Sequence, residues 1–289
     1  MRRSRRAWPF AARPWRGLRY SQPMSLIQEA LRGGHARPPA ALPQPSALVV
    51  GGGGTLGSAV LEKLLTARRF AHVRVLVTQG FHAAMHGLEP LVVAPSAINT
   101  PPAAPLAADI ALVVFDRRRR ANGREDAFVK PQPEALPALA RWLFAGGVRR
   151  LVVVLPHSMA SLPQALKAGL ANLDEHAVAA LGFANVVFVR PAQTPNDVRA
   201  ASGLQRLADG VFAQLRFMVP QAEQPVRVQK VAAFVTELVL RLPGSAPGTR
   251  VAPPELLWLA AQARDPGELV QVWLDGRELP QLSAPRVRL

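Results

Sequence analysis

Between residues 47 and 189 the chain alternates short, unbroken runs of Val, Leu, Ile and Phe with stretches of helical periodicity. The runs are Ala47–Val50, Arg74–Val77, Leu91–Val93, Ile110–Phe115, Leu151–Leu155 and Val186–Val189. A strand with one face in water alternates apolar and polar residues. A run that is apolar throughout has both faces covered, as in a parallel sheet packed between helices. Helical patterns fill the gaps, through Leu56, Val60, Leu61 and Leu64, and again at about 134–146 and 164–181. Strands joined through helices run parallel, and their crossovers lay helices on both faces. The expected fold is a doubly wound α/β sheet.

Composition removes several other classes. Of 289 residues, 49% are apolar, 19% are charged and none is cysteine. This excludes a disordered chain, a coiled coil, a disulfide framework and a thiolate metal site. No apolar run reaches the roughly 18 residues of a membrane span. The net charge of +16 is carried almost wholly by arginine, the lysines being Lys63, Lys130, Lys167 and Lys230. Arginine, alanine and proline are all abundant, as coding bias alone would make them, and no specific nucleic-acid partner is expected.

Residues 1–23 hold Arg2, Arg3, Arg5, Arg6, Arg13, Arg16 and Arg19 and no acid. They lack the apolar segment of a secretory signal, and Pro9, Pro14 and Pro23 interrupt any helix. The simpler reading starts translation at Met24, with 1–23 disordered or untranslated, a short helix over 25–32 and a Pro-rich linker over 33–46. The expected organisation is a tail (1–46), an α/β core (47–191) and a small carboxyl-terminal lobe packed on that core (192–289). In the lobe, Asp265-Pro266-Gly267 reads as a turn and Leu269–Leu274 as a strand at the lobe edge. Localisation is expected to be cytoplasmic.

The glycines after the first strand carry the chemistry. Gly51, Gly54 and Gly57 stand directly between a strand and a helix. The first permits a sharp turn, the second a close approach of backbone amides to a pyrophosphate, and the third close packing of helix on sheet. The helix start then supplies N–H donors and a partial positive charge. A dinucleotide seated there is expected to touch Gly51, Gly54, Thr55, Leu56 and Gly57, Thr78 after strand two, Phe115 after strand four and Pro191 after strand six. An NAD ribose is held by an acid at the end of strand two. Here that place reads Val77-Thr78-Gln79-Gly80. The missing carboxylate and the basic surroundings favour NADP over NAD.

The segment from Val49 to Gly57, the strand entry at Asp109, and Arg190-Pro191 together resemble the atypical short-chain dehydrogenase/reductases. The stretch Phe128–Ser158 resembles more narrowly the NmrA-like and Tat-interacting-protein-like NAD(P)-binding branch of that Rossmann family. Val226–Ala261, with a strand-like Arg250–Val251, is similar to the branch's small substrate lobe. The resemblance spans about residues 47–265. It implies a Rossmann core, a bound NAD or NADP, and a catalytic serine, tyrosine and lysine.

That catalytic set is not in place. The only tyrosine, Tyr20, lies upstream of the first strand. The helix after strand five, where the tyrosine and lysine of the family stand four apart, reads Gln164, Ala165, Leu166, Lys167, Ala168, Gly169, Leu170, Ala171. His157 is a candidate proton donor, because imidazole titrates near neutral pH, with Ser158 and Lys167 orienting a substrate. The plainer reading makes 156–158 a loop and Lys167 part of a solvated helix face. Asp174, Glu175 and His176, consecutive on a helix, read as solvated. With His82 and His86 lacking a third ligand, no metal site is expected. Arg117–Arg120, after Asp116, read as an exposed loop over the cleft. Three functions stay open: a protein that binds or senses the dinucleotide without turnover, an oxidoreductase rebuilt around His157, and a non-catalytic scaffold or assembly factor. A small molecule or a protein is a further possible partner, and the oligomeric state is not specified.

Overall fold

The computed structural model describes residues 44–80, 87–116, 126–155, 157–158, 173–193 and 226–279. The expectations for the tail, His82, His86, Arg117–Arg120, Lys167 and the helix through 164–172 lie outside the described residues.

Seven parallel strands form one sheet: β1 (Ala47–Val50), β2 (Val73–Val77), β3 (Leu88–Val92), β4 (Ile110–Val114), β5 (Arg150–Val154), β7 (Asn185–Val189) and β9 (Gly248–Ala252), in the order β3-β2-β1-β4-β5-β7-β9. A separate parallel pair, β6 (His157–Ser158) and β8 (Ala192–Gln193), follows the carboxyl ends of β5 and β7. Among the described residues the helices are α1 (Thr55–Ala67), α2 (Leu136–Ala145), α3 (Leu173–Ala179), α4 (Val228–Arg241), α5 (Pro254–Gln262) and α6 (Pro266–Leu274). This is the doubly wound, Rossmann-like α/β fold that the apolar runs imply.

Successive strand residues point to opposite faces, so each apolar run feeds two cores. Val49, Val75, Leu112, Val152 and Val187 meet α1, α4, α5 and α6 on one face. Leu48, Leu76, Val113, Val153 and Phe188 meet α2 and α3 on the other. Full burial of each such side chain is worth about 1.5–3 kcal/mol. That double demand is why the runs contain almost no polar residue.

Expectations are corrected at the carboxyl-terminal end and at one edge. The strand expected at Leu269–Leu274 is the helix α6. Asp265 caps it, its Oδ1 accepting from the Gly267 N–H at 2.8 Å, and Pro266 opens the first turn. Val270 and Leu274, four apart, are the residues it buries. The strand near Arg250–Val251 is placed not in a lobe but in the main sheet, as β9 beside β7, with Ala252 in one core and Val251 against the other. Helix α4, also expected in the lobe, packs on α1. At the far edge β3 begins three residues before the expected Leu91. Its Pro90, which has no N–H to donate, is tolerated because an edge strand has one unpaired side. Among the described residues no helix is long and apolar enough to cross a membrane.

Side chains lock the amino ends of the strands. Asp109 accepts from the Ser46 N–H (2.8 Å) and hydroxyl (2.9 Å), tying the start of β4 to the start of β1. Glu89 on β3 pairs with Arg74 (3.0 Å) and His72 (2.7 Å) on and before β2, and Arg74 also donates to the Leu106 carbonyl. The hydrogen bonds from Arg74 and then His72 hold the Glu89 carboxyl below its ordinary range. The folded form therefore gains stability from Glu89 above the unfolded carboxylate pKa of about 4.3, and this gain disappears as pH falls through the lowered folded value. With Glu89 45% exposed, solvent screening keeps it small. Carboxyl-carbon NMR titration is expected to place Glu89 below the other exposed glutamates, and Arg74→Ala to bring it back toward them.

Candidate functional site

The turn from β1 into α1 is built on close contact. Gly51 has φ +88°, a conformation that side chains rarely adopt, and a Cβ there would collide with the Val114 carbonyl. Gly57, on the first turn of α1, faces the Gly51 carbonyl oxygen so closely that a Cβ would strike it and lie 3.0 Å from the Gly52 Cα. Helix and turn are thereby pressed onto the sheet, and α1 starts directly beyond the carboxyl end of β1.

In the strand order, β2 and β3 lie to one side of β1 and β4, β5, β7 and β9 to the other. The crevice beyond β1 and β4 is thus the topological switch point, where open α/β sheets bind ligands. The start of α1 opens into it. The helix is capped at Gly54, which has no side chain to accept from the first turn. The acceptor comes from 60 residues away: the Leu56 N–H donates to Oδ2 of Asp116, just past β4, at 2.6 Å. A carboxylate on a helix amide is a charge-assisted bond and suits the positive end of the helix. The Thr55 and Gly57 N–H groups find no acceptor among the described residues.

Asp116 is the participant the sequence reading missed. Its signal was indirect. A helix opening on glycine lacks an acceptor, and parallel pairing of β1 with β4 sets the residue after β4 opposite that opening.

A second element borders the turn. Residues 126–131 return from the β4–α2 connection as a strap. Phe128 forms an antiparallel bridge with Val77. The Thr78 N–H donates to the Ala127 carbonyl at 2.7 Å, and the Val129 N–H to the Leu76 carbonyl at 3.1 Å. The Thr78 hydroxyl also donates to the Ala127 carbonyl, at 3.1 Å. The strap runs beside β2 in the place left when β1 ends at Val50, against Gly51 and Gly52 through Pro131 and Phe128.

The expected contact residues are accordingly divided. Gly51, Gly54, Thr55, Leu56, Gly57 and Thr78 stand around the crevice, Leu56 with its amide taken by Asp116 and Thr78 committed to the strap. Phe115 is 6% exposed, its side chain in the second core and its N–H on the Val154 carbonyl at 3.0 Å. Pro191 is buried after β7. The backbone of His157 and Ser158 pairs with Ala192 and Gln193 past the carboxyl end of β5.

The solvated reading of Asp174, Glu175 and His176 is corrected at its centre. Asp174 and His176 are exposed, but Glu175 is 2% exposed and accepts from Arg190 Nη2 at 2.5 Å. Consecutive helical residues point about 100° apart, so the middle of the three faces the sheet. Arg190, 4% exposed, is thus bound to α3 rather than presented to a ligand. Among the described residues no three His, Asp or Glu side chains cluster as metal ligands. A depression of about 580 Å³ lies at the opposite end of α1, between Leu64, Leu65, Arg68, Phe70 and Gly87, away from these groups.

No family model and no curated protein sequence matches the chain. Among solved structures it is similar to a Rossmann-fold NAD(P)-binding family protein from Shigella flexneri, at 15% identity and TM-score 0.41 over 72% of this chain and 92% of that one. It is similar also to the oxidoreductase ylbE from Lactococcus lactis, at 10% identity and TM-score 0.45 over 82% and 100% of the two chains. A third is the Bordetella bronchiseptica enzyme WbmH in complex with NAD+, at 15% identity and TM-score 0.39 over 74% and 79%. The fold assignment rests on the strand order and register described above.

Gly57→Ala forces a methyl group into the Gly51 carbonyl and is expected to destabilise the fold by about 1–3 kcal/mol, read from urea denaturation. Glu175→Ala removes one partner of a buried ion pair and should lower stability by about 3–5 kcal/mol, a loss measurable in the same assay.

Proposed function

We propose that this chain binds a nicotinamide dinucleotide, NAD or NADP, at the crevice beyond β1 and β4, and does not carry out the serine-tyrosine-lysine reduction of the short-chain reductases. One observation carries the reading: a glycine turn too tight for side chains at Gly51 and Gly57 aims the start of α1 into the switch point of a seven-stranded parallel sheet. The cradle fits the group, because small residues and the amides of Thr55 and Gly57 face the place of a pyrophosphate. The amides of 54–57 would hold the phosphates. A bound nicotinamide would supply hydride chemistry, but the only tyrosine in the chain is Tyr20, so the usual proton donor is absent from the core. A cytoplasmic protein that carries or senses the dinucleotide fits these residues, with NADP favoured by the lack of an acid at 77–80.

A second reading has its own support. Asp116 already occupies the Leu56 amide, as a scaffold that binds no nucleotide would allow. Titration of NADH and NADPH into the full chain, followed by calorimetry, separates the two. Micromolar binding of at least one nucleotide is expected, abolished by Gly54→Asp, which sets a second carboxylate beside the phosphates. If neither nucleotide binds at millimolar concentration, to the wild type or to Asp116→Asn, the dinucleotide reading fails and the scaffold stands.

A further inference from the structure

We infer that the chain holds its own nucleotide cleft closed. Asp116 takes the place of a phosphate on the start of α1, and the strap 126–131 lies where an adenosine ribose would reach the end of β2. This rests on the dinucleotide reading above.

The Leu56 amide has one hydrogen to give, and Asp116 Oδ2 takes it at 2.6 Å. A carboxylate oxygen and a phosphate oxygen are equivalent acceptors at a helix start, and two anions do not share one donor. A nucleotide phosphate therefore binds there only when Asp116 leaves. Gly54 is fitted to the closed arrangement, since a Cβ at that position would lie 2.6 Å from the Asp116 Cγ.

The strap acts at the neighbouring position. Past Val75, the last β2 residue paired with β1, the Leu76 carbonyl and the Thr78 N–H have no partner on β1. Ala127 and Val129 supply those partners instead. A ribose at the end of β2 would need this same space.

Asp116 and the strap are the two described ends of a single connection, from β4 to α2. Within the strap, Lys130 and Asp126 form an exposed ion pair at 2.9 Å, weak by its exposure. Closure of this kind lowers apparent affinity by the fraction of molecules that are open.

The test is fluorescence titration of NADH and NADPH into the full chain as wild type, Asp116→Asn and Asp116→Ala, with thermal unfolding as a folding control. Both variants are expected to bind about tenfold tighter or better. Asp116→Asn keeps an oxygen to cap Leu56 without the charge, and carries the test should Asp116→Ala fail to fold. Equal affinity in all three, or weaker binding in the variants, overturns the inference and leaves the dinucleotide reading intact. Binding by none of the three overturns that reading and the inference with it. Hydrogen exchange tests the strap: the Thr78 and Val129 amides should exchange faster with nucleotide bound, and unchanged protection at saturation removes the strap from the closure.

Discussion

The contact between the Gly51 carbonyl and the first turn of α1 at Gly57 sets the rest of the crevice. With no Cβ on either residue, helix and turn approach closer than any other pair of residues permits. That approach decides where the helix amides end up. They face the gap beyond β1 and β4 with their positive end forward, and a positive end in a half-buried gap requires an acceptor. Asp116 supplies it from the next strand. The unusual feature of the site is thus a consequence of the ordinary one: a tight glycine turn exposes donors, and a carboxylate at the end of the adjacent strand answers them.

Burial on both faces of the sheet governs the remainder. Every interior strand serves two cores, and the two buried polar side chains on or just after β7, Asn185 and Arg190, both find partners. Asn185, on β7, donates to the Ala246 carbonyl at 2.8 Å, and Arg190, just past β7, reaches Glu175 on α3. The Arg190–Glu175 pair gives the family-like Arg190-Pro191 motif a structural role here, tying the end of β7 to a helix on the sheet's second face. The same economy draws β9 into the sheet: without it β7 would be an edge, and its apolar Val186–Val189 run has none of the charges or prolines that protect an edge strand.

How much of this the sequence disclosed follows the range of each interaction. Continuous apolar runs are local and strong signals, and the six expected strands stand within three residues of their observed starts. The glycine turn was legible because strand, glycines and helix are contiguous. Glu175 was misread because helical neighbours differ in direction, and three charged residues in a row hide the one that points inward. Leu269–Leu274 was misread because a short apolar run fits a strand or a buried helix equally, although Asp265-Pro266, a capping acid before a first-turn proline, already favoured the helix. Asp116 gave only an indirect signal, and the strap none. Each depends on a contact made across the sheet from far along the chain, and neither lies in a pattern of its own.

The strap also changes the meaning of a residue that the sequence left ambiguous. An acid at the end of β2 would have marked an NAD ribose, and its absence was taken to favour NADP. The structure supplies a different cause for the residue found there. Thr78 faces the carbonyl oxygen of Ala127 and donates its hydroxyl to it. An aspartate or glutamate at that position would set an ionised acceptor against another acceptor, with no proton between them and a hydrogen bond lost. A donor at position 78 therefore serves the chain's own backbone, and the strap accounts for the missing carboxylate without reference to a ribose.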